Sequence, residues 1–161
     1  KGSNHTDEPE PGEFLMLDGV GPFSTPSIDD GCTYEMCAID VASDVSWAST
    51  TVSHTTAHWI AFASETILQC AAAGRTVKRM RVDRSPDFNA SANEGVFDET
   101  TFKNKMLSKH NVLVEFAPRN RAEGVCHMEQ NHDPIARDAE IYLQRCGRGR
   151  AFVLCARRYA R

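Results

Sequence analysis

The chain has 161 residues, is 41% hydrophobic and 25% charged, and carries a formal net charge of −4. This length suits one domain with one sizeable core, and the composition excludes a disordered chain. The negative balance argues against strong non-specific nucleic-acid binding, and no apolar run approaches the roughly 20 residues of a membrane span.

Residues 1–12 read as a linker or frayed lead-in, rich in Pro, Gly and acid, with no secretory signal. "EFLMLD" (13–18) is a short buried strand ending at Asp18. Residues 19–31 are loop. Residues 32–41 alternate, with Cys32, Tyr34, Met36 and Ala38 on one face; after the turn at 43–45, residues 46–52 alternate again, which predicts a hairpin. From Thr55 or Thr56, either of which can cap a helix, Ile60, Ala63, Ile67, Leu68 and Ala71 recur at helical spacing as far as Gly74. "TVKRMRVD" (76–83) returns to strand, and 84–97 is loop. Residues 98–110 read as a helix capped by Asp98, with Phe102, Met106 and Leu107 inward. "NVLVEFAP" (111–118) is a strand, 119–125 a loop, and 133–146 a helix with Asp133 as cap and Pro134 at its first position. Residues 151–160 are a short helix or a strand. The order β-β-β-α-β-α-β-α predicts an α/β fold in which a five-stranded mixed sheet is flanked by helices.

Charge is unevenly placed. Residues 1–30 hold seven acids and one lysine, whereas 141–161 hold six arginines and no acid. Such a block either attracts phosphate or is a solvated basic terminus. The cysteines (32, 37, 70, 126, 146, 155) sit mostly in apolar stretches without a CxxC, and are read as reduced, buried and intracellular. His54 with His58, and Cys126-His127 with His132, are the sharper zinc alternative, but neither completes a four-ligand spacing.

Three acids stand out. Asp18 ends the first strand, Asp83 ends the fourth, and Glu129 lies close before the helix at 133–146. If the first and fourth strands are neighbours, Asp18 and Asp83 sit side by side at one edge of the sheet, where open α/β sheets place ligands. Clustered carboxylates repel one another unless a cation holds them, and oxygen-only ligands favour Mg²⁺ or Mn²⁺. Taken singly, each acid is more simply a turn or helix-start residue.

"LDGVGPFSTPSIDDGCTYEMCAIDVASDVSWA" (17–48) resembles the opening of the integrase catalytic core of Ty1/copia-type retrotransposons, within the retroviral-integrase, RNase H-like superfamily. The matching features are Asp18, Gly21-Pro22, Tyr34, Ile39-Asp40, Ser43 and Trp47. "VKRMRVDRSPDF" (77–88) is similar to the family's second acidic motif: Asp83 and Phe88 match, Asp87 replaces Glu, and "RSP" replaces Asn-Gly-Gly. Ala117-Pro118 and Gly124-Val125 match a later Pro-rich stretch, and 135–143 falls on the helix after the family's catalytic Glu. The resemblance runs from about Phe14 to Ala160.

It implies an RNase H-like domain over 13–161, with Asp18, Asp83 and Glu129 as catalytic metal ligands for two Mg²⁺ or Mn²⁺ ions. Glu129 falls into register with two residues inserted; Glu123 is the other candidate, and position 127 is His. It further implies 3′-end processing and strand transfer of retroelement DNA by a homo-oligomer, in the nucleus or an element particle, with no membrane. Lys78, Arg84, Arg119 and Arg121 are the basic groups read as lining DNA, or else as surface solubilisers. The alternatives are a divergent, catalytically weak or inactive DNA-binding or interaction module, and an RNase H-like nuclease.

Overall fold

The computed structural model describes residues 8–27, 30–88 and 101–117. Its sheet is built on strands buried on both faces. In Phe14–Val20 (β1), Leu15 and Leu17 enter the larger core, while Phe14 and Met16 join a second cluster with Cys37 and Ile39. Two-sided burial demands a continuous apolar run rather than alternation, and "FLML" supplies it. Tyr34–Asp40 (β2) sends Met36 and Ala38 into the larger core and Cys37 and Ile39 into the second. Ser46–Thr51 (β3) is polar and lies at the sheet edge. In Arg79–Val82 (β4), Met80 and Val82 are buried, and the Arg79 and Arg81 guanidiniums lie 4.7 and 5.1 Å from the centre of the Phe14 ring. Leu113–Phe116 (β5) forms the other edge.

The strand order is β3-β2-β1-β4-β5. The pairs β1–β2 and β2–β3 are antiparallel, and β1–β4 and β4–β5 are parallel. A parallel strand cannot be reached by a tight turn. Helix α1 (Thr56–Ala72) therefore precedes β4, and helix α2 (Phe102–His110) precedes β5.

Both helices differ in detail from the sequence reading. The buried residues of α1 are Trp59, Phe62, Ala63, Ser64, Thr66 and Cys70. Ile60 and Ile67 border them, Leu68 is 58% exposed, and Ala71 is exposed. Aromatic side chains bury more area than aliphatic ones, so the helix turns Trp59 and Phe62 inward at the expense of Leu68. Thr55 caps α1 by accepting the His58 N–H at 3.3 Å. The cap of α2 is Thr101 rather than Asp98: its hydroxyl accepts the Asn104 N–H at 3.3 Å, one residue before the fully buried Phe102. Leu107, expected inward, is 39% exposed. Asn111, read as the first residue of the last strand, instead ends α2 in the left-handed region at φ 55°.

Of the expected lead-in, residues 8–12 are described, and Gly12 is already buried against Arg75. The helix at 133–146, the element at 151–160 and the C-terminal arginines lie outside the described residues. Cys32, Cys37 and Cys70 are buried and form no disulfide among the described residues. Burial, and secondarily the charge of Asp40, pushes the Cys70 thiol upward, which keeps it protonated and unreactive. Among the described residues no helix is long and apolar enough to cross a membrane.

Asp40 is fully buried where β2 turns toward β3. One carboxylate oxygen accepts the Ser43 hydroxyl; the other has no partner among the described residues. Its backbone also closes the turn, with Asp40 N–H donating to Val45 O at 2.8 Å and Asp44 N–H donating to Asp40 O at 2.9 Å.

The last turn of α2 is tied to α1 through His110, whose Nε2 lies 2.9 Å from Ser64 Oγ. Burial, and then the neighbouring Lys109, holds the His110 imidazole below its ordinary value of 6.5. The unfolded chain therefore takes up a proton near pH 6.5 that the folded chain resists. This contribution to stability is complete above about pH 6.5 and declines as pH falls below it. Urea unfolding at pH 7 and pH 5 should show a smaller loss of stability at pH 5 in His110→Gln than in the parent.

Candidate active site

The parallel β1–β4 ladder pairs Phe14 with Arg79, Leu15 with Met80 and Met16 with Arg81. The ladder ends at that last pair; the same offset carried two residues further would set Asp18 opposite Asp83, which lies one residue past β4. Adjacent strands lie about 4.8 Å apart, a spacing that would bring two such acids within reach of one shared cation. Strand alternation carries Asp18 onto the face of Phe14 and Met16. Asp83, one residue beyond β4, follows Arg79 and Arg81 onto that same face, opposite the helices. Both acids are partly buried.

A local backbone amide orients each carboxylate. Asp18 Oδ1 accepts the Gly19 N–H at 2.8 Å. Asp83 Oδ1 accepts the Ser85 N–H at 3.1 Å, an Asx turn that leads into a short 3-10 helix, Pro86–Phe88. Phe88 is 2% exposed and packs 4.7 Å from Trp59 and 5.0 Å from Phe102, ring centre to ring centre. The "RSPDF" segment thus folds back from the acid onto the N-terminal end of α1. Thr56 Oγ1 fastens it there, donating to Asp87 O at 2.8 Å.

The end of β1, which runs two residues past Asp18 to Val20, is equally crowded. A Cβ at Gly19 would lie 2.3 Å from His54 Cε1 and 2.9 Å from Trp59 Cζ2, so the close approach itself requires glycine. Gly21 has φ +134°, and its Cβ would meet Thr33 O at 2.8 Å.

The other residues singled out from sequence are dispersed. Lys78 is ion-paired to Glu13 before β4 begins, at the opposite end of that strand from Asp83, so it does not flank the acids. The Lys78 hydrogen bond also lowers the Glu13 carboxyl below its ordinary range. Arg84 is exposed and braces the end of β5: its Nε donates to Ala117 O at 3.1 Å, and its guanidinium lies 5.8 Å from the Phe116 ring centre. Arg119, Arg121, Glu123, His127, Glu129 and His132 lie outside the described residues.

His54 and His58 do not converge on a common ligand position. His54 faces Glu35 O and Asp87, whereas His58 Nδ1 is 2.8 Å from Ser53 O. Among the described residues no group of three or more His, Cys, Asp or Glu side chains is arranged to hold a metal. A groove of about 610 Å³ between β3 and α1, lined by Met36, Trp47, Thr51, His58 and Phe62 among others, includes neither acid.

The sequence reading passed over Trp59, and it weighed His54 only as a zinc ligand and Asp87 only as a replaced Glu. Their meeting depends on contacts between segments far apart in the chain, which no local spacing signals. The glycine after Asp18 was the one available clue to a close approach.

No protein-family model matches the chain, and no curated protein does. Solved structures do. The HTLV-2 integrase catalytic core domain, in complex with magnesium and in a trimeric form, matches with a TM-score of 0.60 at 16% identity, over 93% of this chain and 82% of that one. A chain in the simian T-cell lymphotropic virus intasome, in complex with PP2A regulatory subunit B56 gamma, matches with a TM-score of 0.62 at 12% identity, over 91% of this chain and 47% of that one. The chain thus has the RNase H-like fold of retroviral integrase catalytic cores, a five-stranded mixed sheet flanked by helices.

Proposed function

We propose that the chain is the catalytic core of an integrase-like polynucleotidyl transferase of the Ty1/copia type. It would process the 3′ ends of retroelement DNA and join them to target DNA. The observation that supports this reading is the parallel β1–β4 register, whose continuation past Met16 and Arg81 would bring Asp18 opposite Asp83. Two carboxylates so placed form an oxygen-only donor set that fits Mg²⁺ or Mn²⁺, and the HTLV-2 core of the same fold was solved with magnesium. Glu129 is the third ligand in this proposal, with Glu123 as the alternative. Two bound ions would activate a water or a 3′-hydroxyl and stabilise the leaving oxygen.

The chain's own residues present and orient this site. The Gly19 and Ser85 amides fix one oxygen of each aspartate, so the carboxylates are preset before any ion arrives. Arg84, with Arg119 and Arg121, supplies the positive charge proposed to hold the DNA backbone. A homo-oligomer is proposed as the working form, supported by the trimeric form of the HTLV-2 core and by the intasome context of the second match. In this reading the protein acts in the nucleus or in an element particle.

One observation favours the divergent, weakly active alternative. The segment after Asp83 is a proline-containing 3-10 turn anchored by Phe88, in place of the Asn-Gly-Gly of the resembled family. Joining of short duplex ends in Mg²⁺ and in Mn²⁺ separates the two readings. The proposal expects joined products from the parent. Glu129→Gln should lose them by more than the roughly 10–100-fold that follows loss of an outer-shell metal partner, and Glu123→Gln should retain them. A parent that joins nothing with either ion would leave the divergent reading standing.

A further inference from the structure

His54 is the point at which the end of β1 and the turn after Asp83 meet. Its ring lies against Gly19, the residue after Asp18, so closely that a Cβ there would be 2.3 Å from Cε1 and 3.0 Å from Nε2. Nε2 is 3.3 Å from Glu35 O in β2, a distance that suits an Nε2–H donor. Nδ1 faces Asp87 Oδ2 at 3.9 Å, in the 3-10 turn that follows Asp83. Two residues along, Thr56 holds the Asp87 carbonyl. Tyr34 and Trp59 flank the imidazole, at 4.5 and 5.3 Å between ring centres, and its side chain is only 12% exposed. Gly19, like Leu15 and Leu17, faces the helix side of the sheet, whereas Asp18 and Asp83 face the other side. His54 therefore touches the backing of the site rather than any reacting group.

We infer that His54 is a positioning residue: it ties the end of β1, just past Asp18, to the turn after Asp83 and so holds the spacing of the two carboxylates. Its consequence for catalysis rests on the reading of those acids as the reacting pair; the mechanical coupling does not. A relative shift of the two segments would break either the packing of the ring on Gly19 or its contact with Asp87. Asp87 is the weaker arm: its side chain is 34% exposed, the separation is long, and it is an ion pair only when the imidazole carries both protons.

The Gly19 and Ser85 amides are natural reporters, since each donates to one of the two carboxylates. Hydrogen exchange at these amides, followed by NMR on the ¹⁵N-labelled full chain, tests the coupling. His54→Ala should speed exchange about tenfold or more at both Gly19 and Ser85 while leaving Met106 and Val114 unchanged. Asp87→Asn, which leaves the core intact, should speed Ser85 and spare Gly19. Should His54→Ala fail to fold, Asp87→Asn still decides the matter. Unchanged exchange at Ser85 in Asp87→Asn overturns the inference. So does uniform acceleration across the sheet in His54→Ala, which is the signature of a ring that merely fills the core.

Activity distinguishes this inference from the function beneath it. In a parent that joins DNA, His54→Ala should lower kcat about tenfold or more with KM for DNA unchanged, as loss of positioning predicts. An inert parent that retains the exchange coupling sinks the transferase reading and leaves the His54 lock in place. An active parent without the coupling does the reverse.

Discussion

Trp59→Ala should destabilise the fold by about 3–5 kcal/mol in urea unfolding, the range for deleting a large buried aromatic side chain. Trp59 is 1% exposed and makes ring contacts with His54, Phe62 and Phe88. It also packs against Gly19 closely enough to exclude a Cβ there. Removing it opens a cavity bordered by β1, α1 and the 3-10 turn at once. These elements cannot collapse into the space without breaking the β1–β4 register or the Thr56–Asp87 fastening. Against a typical total of about 5–15 kcal/mol, the loss is a large fraction of the whole. Trp59→Phe is the informative control. The indole Nε1–H is buried with no partner among the described residues, and such a group carries a desolvation cost of about 1–3 kcal/mol. Phenylalanine removes that cost while keeping most of the packing, so its penalty should be well below that of alanine. Equal losses for both variants would place the stabilisation in the part of the indole that a phenyl ring does not fill, and would count against a net cost of the unpartnered N–H.

The parts of the fold legible in sequence were those written in local pattern. "FLML" marks a strand buried on both sides, the alternation in 32–52 marks a hairpin, and the change to helical spacing after Thr55 marks α1. Competition between similar signals was less legible. Asp98 and Thr101 are both good cap residues, and the choice fell to Thr101 because burial of Phe102 and Met106 sets where α2 begins. Counting aliphatic residues rotated the expected face of α1 toward Leu68, whereas Trp59 and Phe62 have more surface to remove from water. Lys78 looked available to DNA because a sequence does not show that Glu13 lies beside it. The candidate site divides along the same line. The first and fourth strands were expected to end at Asp18 and Asp83, but β1 runs on to Val20 with Asp18 paired to Cys37 inside it, and Asp83 lies one residue past β4; that β1 and β4 are neighbours is a property of the topology. The His54–Gly19–Asp87 meeting is further still from view, because it joins three segments through one side chain. Its residues are individually ordinary, and the geometry alone gives them a joint role.

On the proposed transferase reading, Asp18→Asn and Asp83→Asn should each abolish DNA joining while leaving the fold intact or slightly more stable. Carried past its last pair, the β1–β4 register would set the two carboxylates opposite one another, where without a cation they would repel. Two charges one strand spacing apart at a protein surface would interact by about 1–3 kcal/mol, and replacing either aspartate by its neutral near-isostere would relieve that repulsion. Each asparagine also keeps an oxygen that can accept the Gly19 or Ser85 amide, so the turn need not rearrange. What the variants lose is anionic donor capacity. Several kcal/mol of transition-state stabilisation disappear with it, a fall of about a thousandfold or more in joining rate. Thermal melts provide a second readout that does not depend on activity. Adding Mn²⁺ at a hundred times its dissociation constant should stabilise the parent by about 2.7 kcal/mol, and either single variant by much less. The double variant should join no more slowly than the worse single one, because the two acids act as a unit. Retained joining in either variant would remove that aspartate from the site. A Mn²⁺ response that survives in both single variants would place the ion elsewhere in the protein, away from the β1–β4 edge.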